Sequence, residues 1–96
     1  MFEDLSWLEN FFSTLCDGEW EHEYGIKIYT LDNPGWSIEV DLFNTKVHIE
    51  NKEWELFEKT DSDWYGYMIK DNKFIASGDS RKLQFLLELF KGLIIK

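Results

Sequence analysis

The sequence predicts an α+β fold: one small domain in which a mainly antiparallel β-sheet is flanked by an N-terminal and a C-terminal helix. Three observations carry this. Apolar residues recur at helical spacing at the two ends of the chain, they alternate with period two between those ends, and short Asp-, Asn- and Gly-containing breaks separate the alternating runs. A length of 96 residues sets a single domain over 1–96, because two half-sized cores would bury too little apolar surface to offset the entropy of ordering them. At 44% hydrophobic and 18% aromatic residues the chain can fill one core despite its 30% of charged residues. It shows no repeat, linker or low-complexity tract.

The N-terminal helix is predicted over about residues 4–16, where Leu5, Leu8, Phe11, Phe12 and Leu15 fall on one stripe and Glu3 and Asp4 suit the positive end of the helix dipole. Asp17-Gly18 stops it, since glycine accepts the left-handed conformation that closes a helix. Period-two alternation from Glu23 to Thr30 predicts a strand with Tyr24, Ile26, Ile28 and Thr30 on one face. Asp32-Asn33-Pro34-Gly35 reads as a type II turn, with Gly35 supplying a positive φ. Trp36 to Leu42 then returns as the second hairpin strand, with Trp36, Ile38, Val40 and Leu42 inward and Ser37, Glu39 and Asp41 outward. Trp54 to Lys59, Trp64 to Lys70 and Lys73 to Ser77 read as further strands across Asp61-Ser62-Asp63 and Asp71-Asn72. Residues 46–53 fit either a strand extension or a loop anchored by Val47 and Ile49. Leu83, Leu86, Leu87 and Phe90 define the C-terminal helix, with Asp79 or Ser80 placed to cap it and Gly92 to end it.

Charge narrows the function. Nineteen Asp and Glu against ten Lys and Arg leave a formal charge of −9, which repels phosphate backbones and anionic lipid. Direct nucleic-acid or membrane binding is therefore not expected, whereas association with a basic protein surface is favoured. Cys16 is the sole cysteine, so no internal disulfide forms. The start Met1-Phe2-Glu3-Asp4 lacks the basic and apolar regions of a signal peptide, and no apolar run approaches the roughly 20 residues of a membrane span. The expected location is cytoplasmic.

Cys16-Asp17-Gly18-Glu19-Trp20-Glu21-His22-Glu23 is the densest cluster of reactive side chains. It lacks the twelve-residue register of a calcium loop and the second Cys or paired His of a zinc site. A thiol at a helix C-terminus among carboxylates is the reverse of an activated nucleophile. Glu39 and Asp41, two apart on an outward strand face, do not form an evident glycosidase pair, and His48 has no companion group. No glycine-rich phosphate loop or nucleophile elbow is present. Of the five Trp and four Tyr, Trp7, Trp36 and Trp64 adjoin apolar stripes, whereas Trp20 and Tyr29 lie among charged or outward positions and suit contacts.

Trp7-Leu8, Cys16-Asp17-Gly18-Glu19-Trp20-Glu21-His22, Tyr24-Gly25 and Thr30-Leu31-Asp32-Asn33-Pro34-Gly35-Trp36 resemble the pattern of the immunity protein 53 family. Asp41-Leu42, Trp64, Asp71-Asn72-Lys73-Phe74 and Gly78 extend the resemblance over nearly the whole chain. It implies an antitoxin-like partner of a bacterial polymorphic toxin, encoded beside it and protecting the producing cell and its kin. It identifies neither the toxin nor any contact residue. The residues themselves nominate Asp17, Glu19, Trp20, Glu21, His22, Glu23, Tyr29, Glu39 and Asp41 as a toxin-binding surface, with no catalytic residue, metal or cofactor. The expected partner is a cognate protein toxin with a basic surface, and charge suggests a nuclease whose groove receives carboxylates where phosphates sit. The protein itself is expected to be a monomer or weak homodimer. Two other readings stand beside this one: a small metal-binding protein or enzyme using Cys16, Asp17, Glu19 and His22, and a general acidic interaction module. Within the motif, Gly18, Pro34 and Gly35 also suit turns, with Trp20 and Trp36 pinning them to the core.

Overall fold

The computed structural model describes the backbone of residues 2–95 and the side chains of residues 3–95. Its elements run α1 (Phe2–Leu15), α2 (Trp20–Glu23), β1 (Ile26–Leu31), β2 (Gly35–Asp41), β3 (Lys52–Thr60), β4 (Asp63–Lys70), β5 (Lys73–Asp79) and α3 (Leu83–Ile94). The five strands form one sheet in the order β1-β2-β5-β4-β3, and every neighbouring pair is antiparallel. This is the α+β arrangement that the two periodicities predict. No helix among the described residues is long and apolar enough to cross a membrane.

One sheet face is core. Ile38 and Val40 of β2, Phe74 and Ala76 of β5 and Ile69 of β4 point to the same side and are buried, as alternation requires. Leu8, Phe11 and Leu15 of α1 and Leu86, Leu87 and Phe90 of α3 cover them. The Phe90 ring lies 5.0 Å from Phe74 in the sheet and 5.6 Å from Phe11 in α1, tying the sheet and both helices together. Trp7 stacks on Phe11 at 5.1 Å, and Asp4 meets both Gln84 and Lys91, so charge brackets the α1–α3 contact. Leu5 and Phe12, expected on the apolar stripe, sit at its exposed margins.

Several local expectations change. The strand predicted from Glu23 begins at Ile26, because residues 20–23 form the short α2 instead. Gly35 is not a positive-φ turn residue, as Gly18, at 94°, is the one positive-φ glycine among the described residues. Gly35 lies within β2, where a Cβ would stand 2.4 Å from the Gly78 carbonyl oxygen. It is glycine because β2 and β5 approach there, not because of the turn. The β4–β5 turn does use positive φ, at Asp71 (53°) and Asn72 (61°), which is the two-residue hairpin geometry matched to strand twist.

Residues 46–51 are a loop, and Asn72 explains why. Its side-chain amide donates to the carbonyls of Leu42 (3.0 Å) and Val47 (2.7 Å), and its Oδ1 accepts the Ile49 N–H (3.1 Å). With those groups satisfied from outside, the segment needs no strand partner. At the other end of the sheet, Asp79 does not cap α3: its carboxylate accepts the Trp64 and Arg81 N–H groups and pairs with Lys82. Gly92 lies inside α3, which continues to Ile94.

Candidate functional site

The candidate residues fall into two clusters that meet at one corner. In the first, Asp17 Oδ1 accepts the N–H groups of Glu19 and Trp20, each at 2.9 Å. The Glu21 carboxylate reaches back to the N–H groups of Asp17 (3.0 Å) and Gly18 (2.9 Å). This reciprocal capping closes the turn that Gly18 opens, which is why α2 forms in so few residues. Backbone N–H donation from Trp20 and Glu19 holds the Asp17 carboxyl below its ordinary range. Donation from its own N–H and from those of Asp17 and Gly18 does the same for Glu21. Both carboxylates shape the turn while remaining ionised.

Trp20 corrects the expectation of an outward contact ring. It keeps 2% of its surface, lies in the core cluster and meets Phe12 edge-on at 5.9 Å. α2 turns it under the end of α1, and its buried Nε1 finds no hydrogen-bond acceptor among the described residues. What remains open is a cleft of ≈ 720 Å³ lined by Asp17, Glu19, His22, Glu23, Tyr24 and Asn44 along with the covered edge of Trp20. Glu19 and Glu23 on its rim are exposed, and their carboxylates have no ion-pair or hydrogen-bond partner among the described residues.

Cys16 lies beside this turn, half-buried, with its thiol donating to the Phe12 carbonyl at 3.4 Å. Loss of solvent and the charges of Glu21 and Asp17 push the thiol above its ordinary range, so it stays protonated at neutral pH. Among the described residues no three His, Cys, Asp or Glu side chains converge as metal ligands.

The second cluster is on the sheet face opposite the core. The Tyr29 hydroxyl donates to Glu39 Oε2 at 2.7 Å, and Lys73 Nζ lies 3.2 Å from Glu39 and 3.7 Å from Asp41. The Tyr29 hydrogen bond, then Lys73, holds the Glu39 carboxyl below its ordinary range, and Glu39 in turn raises Lys73. Asp41 also accepts the Gly25 N–H at 3.1 Å, and Gly25 lies two residues beyond the end of α2. That bond is the corner where the two clusters join.

Lys73 was not legible as part of this face. Its outward position follows from alternation against Phe74 and Ala76, but its place beside Glu39 depends on β5 pairing with β2 across two intervening strands. The same pairing makes a floor of small residues. Ser37 lies opposite Ser77, with their hydroxyls 3.1 Å apart, and Ser77 lies opposite Gly66. Trp54 covers Gly66, where a Cβ would meet its ring at 2.5 Å.

A family model described as Immunity protein 53 matches residues 5–94. No curated protein and no solved structure matches the chain.

Proposed function

The chain belongs to the Immunity protein 53 family, and on that premise we propose that it neutralises a cognate toxin by binding it, without catalysis, through the acidic corner described above. The observation that carries the choice of surface is the uncompensated charge of Glu19 and Glu23 on the rim of the open cleft. Carboxylates without an ion-pair partner keep more of their field, and in a chain of net charge −9 that field draws in a basic surface. Glu39 and Asp41 belong to the same corner but share Lys73, so they contribute less attraction and more fixed geometry. Tyr29, held by Glu39, presents a ring 41% exposed at the edge of this surface.

The toxin is a protein with a basic working groove. A nuclease fits this description, because exposed carboxylates then stand where substrate phosphates bind. The protonated Cys16 thiol favours binding over chemistry at the same segment. The protein acts in the cytoplasm of the producing cell, on the toxin rather than on nucleic acid or membrane.

Co-expression tests the reading. Cells carrying the toxin encoded beside this gene are expected to survive with the parent chain and to die when Glu19 and Glu23 are both replaced by Lys. Survival with that doubly reversed, folded variant overturns the choice of surface. Death with the parent chain present overturns neutralisation of that toxin.

A further inference from the structure

The sheet ends on β3, and among the described residues nothing pairs with that edge. β3 is nine residues long, pairs with β4 alone among the described residues, and is exposed at every residue after Lys52. Trp54, Leu56 and Phe57 are 46%, 50% and 37% exposed. The other edge, β1, has six residues. A long strand with unpaired backbone groups and large apolar side chains is a template for another strand.

The order of charges along β3 says which strand fits. Lys52-Glu53-Trp54-Glu55-Leu56-Phe57-Glu58-Lys59-Thr60 is self-complementary when laid antiparallel on itself about Leu56. Glu53 then faces Lys59 of the second copy, and Lys59 faces its Glu53, so the pair occurs twice. Leu56 faces Leu56, Lys52 faces Thr60, and no like charges stand opposite one another. Because facing residues must share a sheet face, the centre moves by whole residues: at Glu55 it sets Glu55 against itself, and at Phe57 it sets Glu53 against Asp61, each a repulsive pair. β1 has Lys27 as its sole charged residue and offers no such code.

The backbone shares this symmetry. β3 departs from regular pairing with β4 at two places, one between Lys52 and Glu55 and one between Glu58 and Thr60. The extra residues are thus at 53–54 and 59, and pairing about Leu56 sets one irregular stretch against the other. The regular stretch Glu55–Glu58 lies between them. Leu56 is on the face of Gly66, as is Trp54, while Phe57 is on the face of Tyr65, where it stacks at 4.7 Å. Pairing would place the two Leu56 side chains in contact with Trp54 diagonal to them, and the two Phe57 rings diagonal on the other face.

We propose that β3 is a self-association edge, at which two copies of the chain join their sheets into one continuous ten-strand sheet about a two-fold axis at Leu56. This is independent of toxin binding, because the acidic corner lies toward the β1–β2 end of the sheet and stays open in both copies. Long-range repulsion between two chains of charge −9 opposes the association. It is screened beyond about 8 Å at physiological salt, whereas the Glu53–Lys59 pairs are in contact.

Sedimentation velocity over a concentration series of the full chain tests this, with circular dichroism on each variant. The parent is expected to shift from monomer towards twice the monomer mass. Glu53→Lys turns both pairs repulsive and is expected to weaken association about tenfold. Glu53→Lys combined with Lys59→Glu restores the pairs in reverse and is expected to restore the parent constant. In a Cys16→Ser background, Leu56→Cys places two thiols directly opposite, within disulfide reach, so diamide should give a covalent dimer. Ile28→Cys on β1 should not. A parent that stays monomeric throughout overturns the proposal, and so does a double swap no better than the single reversal. It is equally overturned if β3 amides gain hydrogen-exchange protection only on adding toxin, since the edge then belongs to the toxin complex.

Discussion

The Asp79 carboxylate and the Lys82 ammonium meet at 2.7 Å where β5 passes into α3. Burial works to raise the Asp79 carboxyl, but Lys82 and the N–H groups of Arg81 and Trp64 outweigh it, so the group titrates below its ordinary range. A carboxylate depressed in the folded state binds fewer protons there than in the unfolded chain. Its stabilisation is therefore complete above the unfolded value of about 3.9 and is lost as pH falls through the folded one. Asp17, Glu21 and Glu39 are depressed too and act with the same sign. Melting temperature is expected to be flat near neutrality and to fall as pH drops below about 4. Asp79→Ala should lower stability by about 1–3 kcal/mol at pH 7, leaving two N–H groups unmet, and should flatten the acid limb. An acid limb as steep in Asp79→Ala as in the parent would remove Asp79 from this account.

A Cβ on Gly35 of β2 would stand 2.4 Å from the Gly78 carbonyl oxygen of β5. Gly35→Ala is expected to cost about 1–3 kcal/mol, because its Cβ would press on a backbone carbonyl rather than on the end of a flexible side chain. Gly25→Ala serves as the control, since nothing lies within 4 Å of a Cβ there. Equal urea midpoints for the two variants would show that the strands relax apart without cost.

Asn72 holds the 42–49 segment by three side-chain hydrogen bonds and does so from a positive φ. Asn72→Gly keeps the turn and loses the bonds, whereas Asn72→Ala loses both. Both should speed hydrogen exchange at Ile49, and Asn72→Ala should lose the more stability, about 1–3 kcal/mol. Unchanged exchange at Ile49 in both variants would mean that the loop is held by Val47 and Ile49 packing alone.

Trp20 is predicted to matter through the fold. Trp20→Ala opens a cavity beneath α1 and should cost about 3–5 kcal/mol, with toxin affinity lost only as far as the protein unfolds. Trp20→Phe keeps most of the ring and removes the unpartnered Nε1, so it should retain most of the stability. A Trp20→Ala protein with an unchanged melting curve but faster toxin dissociation would restore the ring as a contact.

What was legible follows from the range of the interactions involved. Alternation placed Ile38 and Val40 inward and helical spacing placed Leu86 and Phe90 in the core, because those patterns are set by local backbone geometry. The capping of Asp17 and Glu21 is also local, yet it was masked. Glu23 to Thr30 alternates well enough to read as strand, and two carboxylates bonded to backbone look identical in sequence to two facing water. Burial of Trp20 among charged neighbours, the crowding at Gly35, the reach of Asn72 to Val47 and the place of Lys73 beside Glu39 all depend on which segments meet. For Gly35, Asn72 and Lys73 that is fixed by the β2–β5 pairing, for which no single stretch of sequence carries a sign, and for Trp20 by the packing of α2 against Phe12 of α1.

The acidic corner gives the sharpest kinetic prediction, because its carboxylates differ in what they touch. Glu19 and Glu23 are exposed and unpaired among the described residues, so Glu19→Lys with Glu23→Lys should leave the melting temperature nearly unchanged. If these charges steer the toxin in, the double reversal slows association and reduces its dependence on salt, while dissociation changes less. Glu39→Lys with Asp41→Lys is different. It sets two new cations against Lys73 and removes the acceptors of Tyr29 and Gly25, so stability should fall together with binding. Surface plasmon resonance against an inactive form of the toxin, at several salt concentrations and with a melting curve for each variant, separates the two cases. Equal association rates for the parent and the Glu19/Glu23 reversal at low salt would move the docking face away from the cleft.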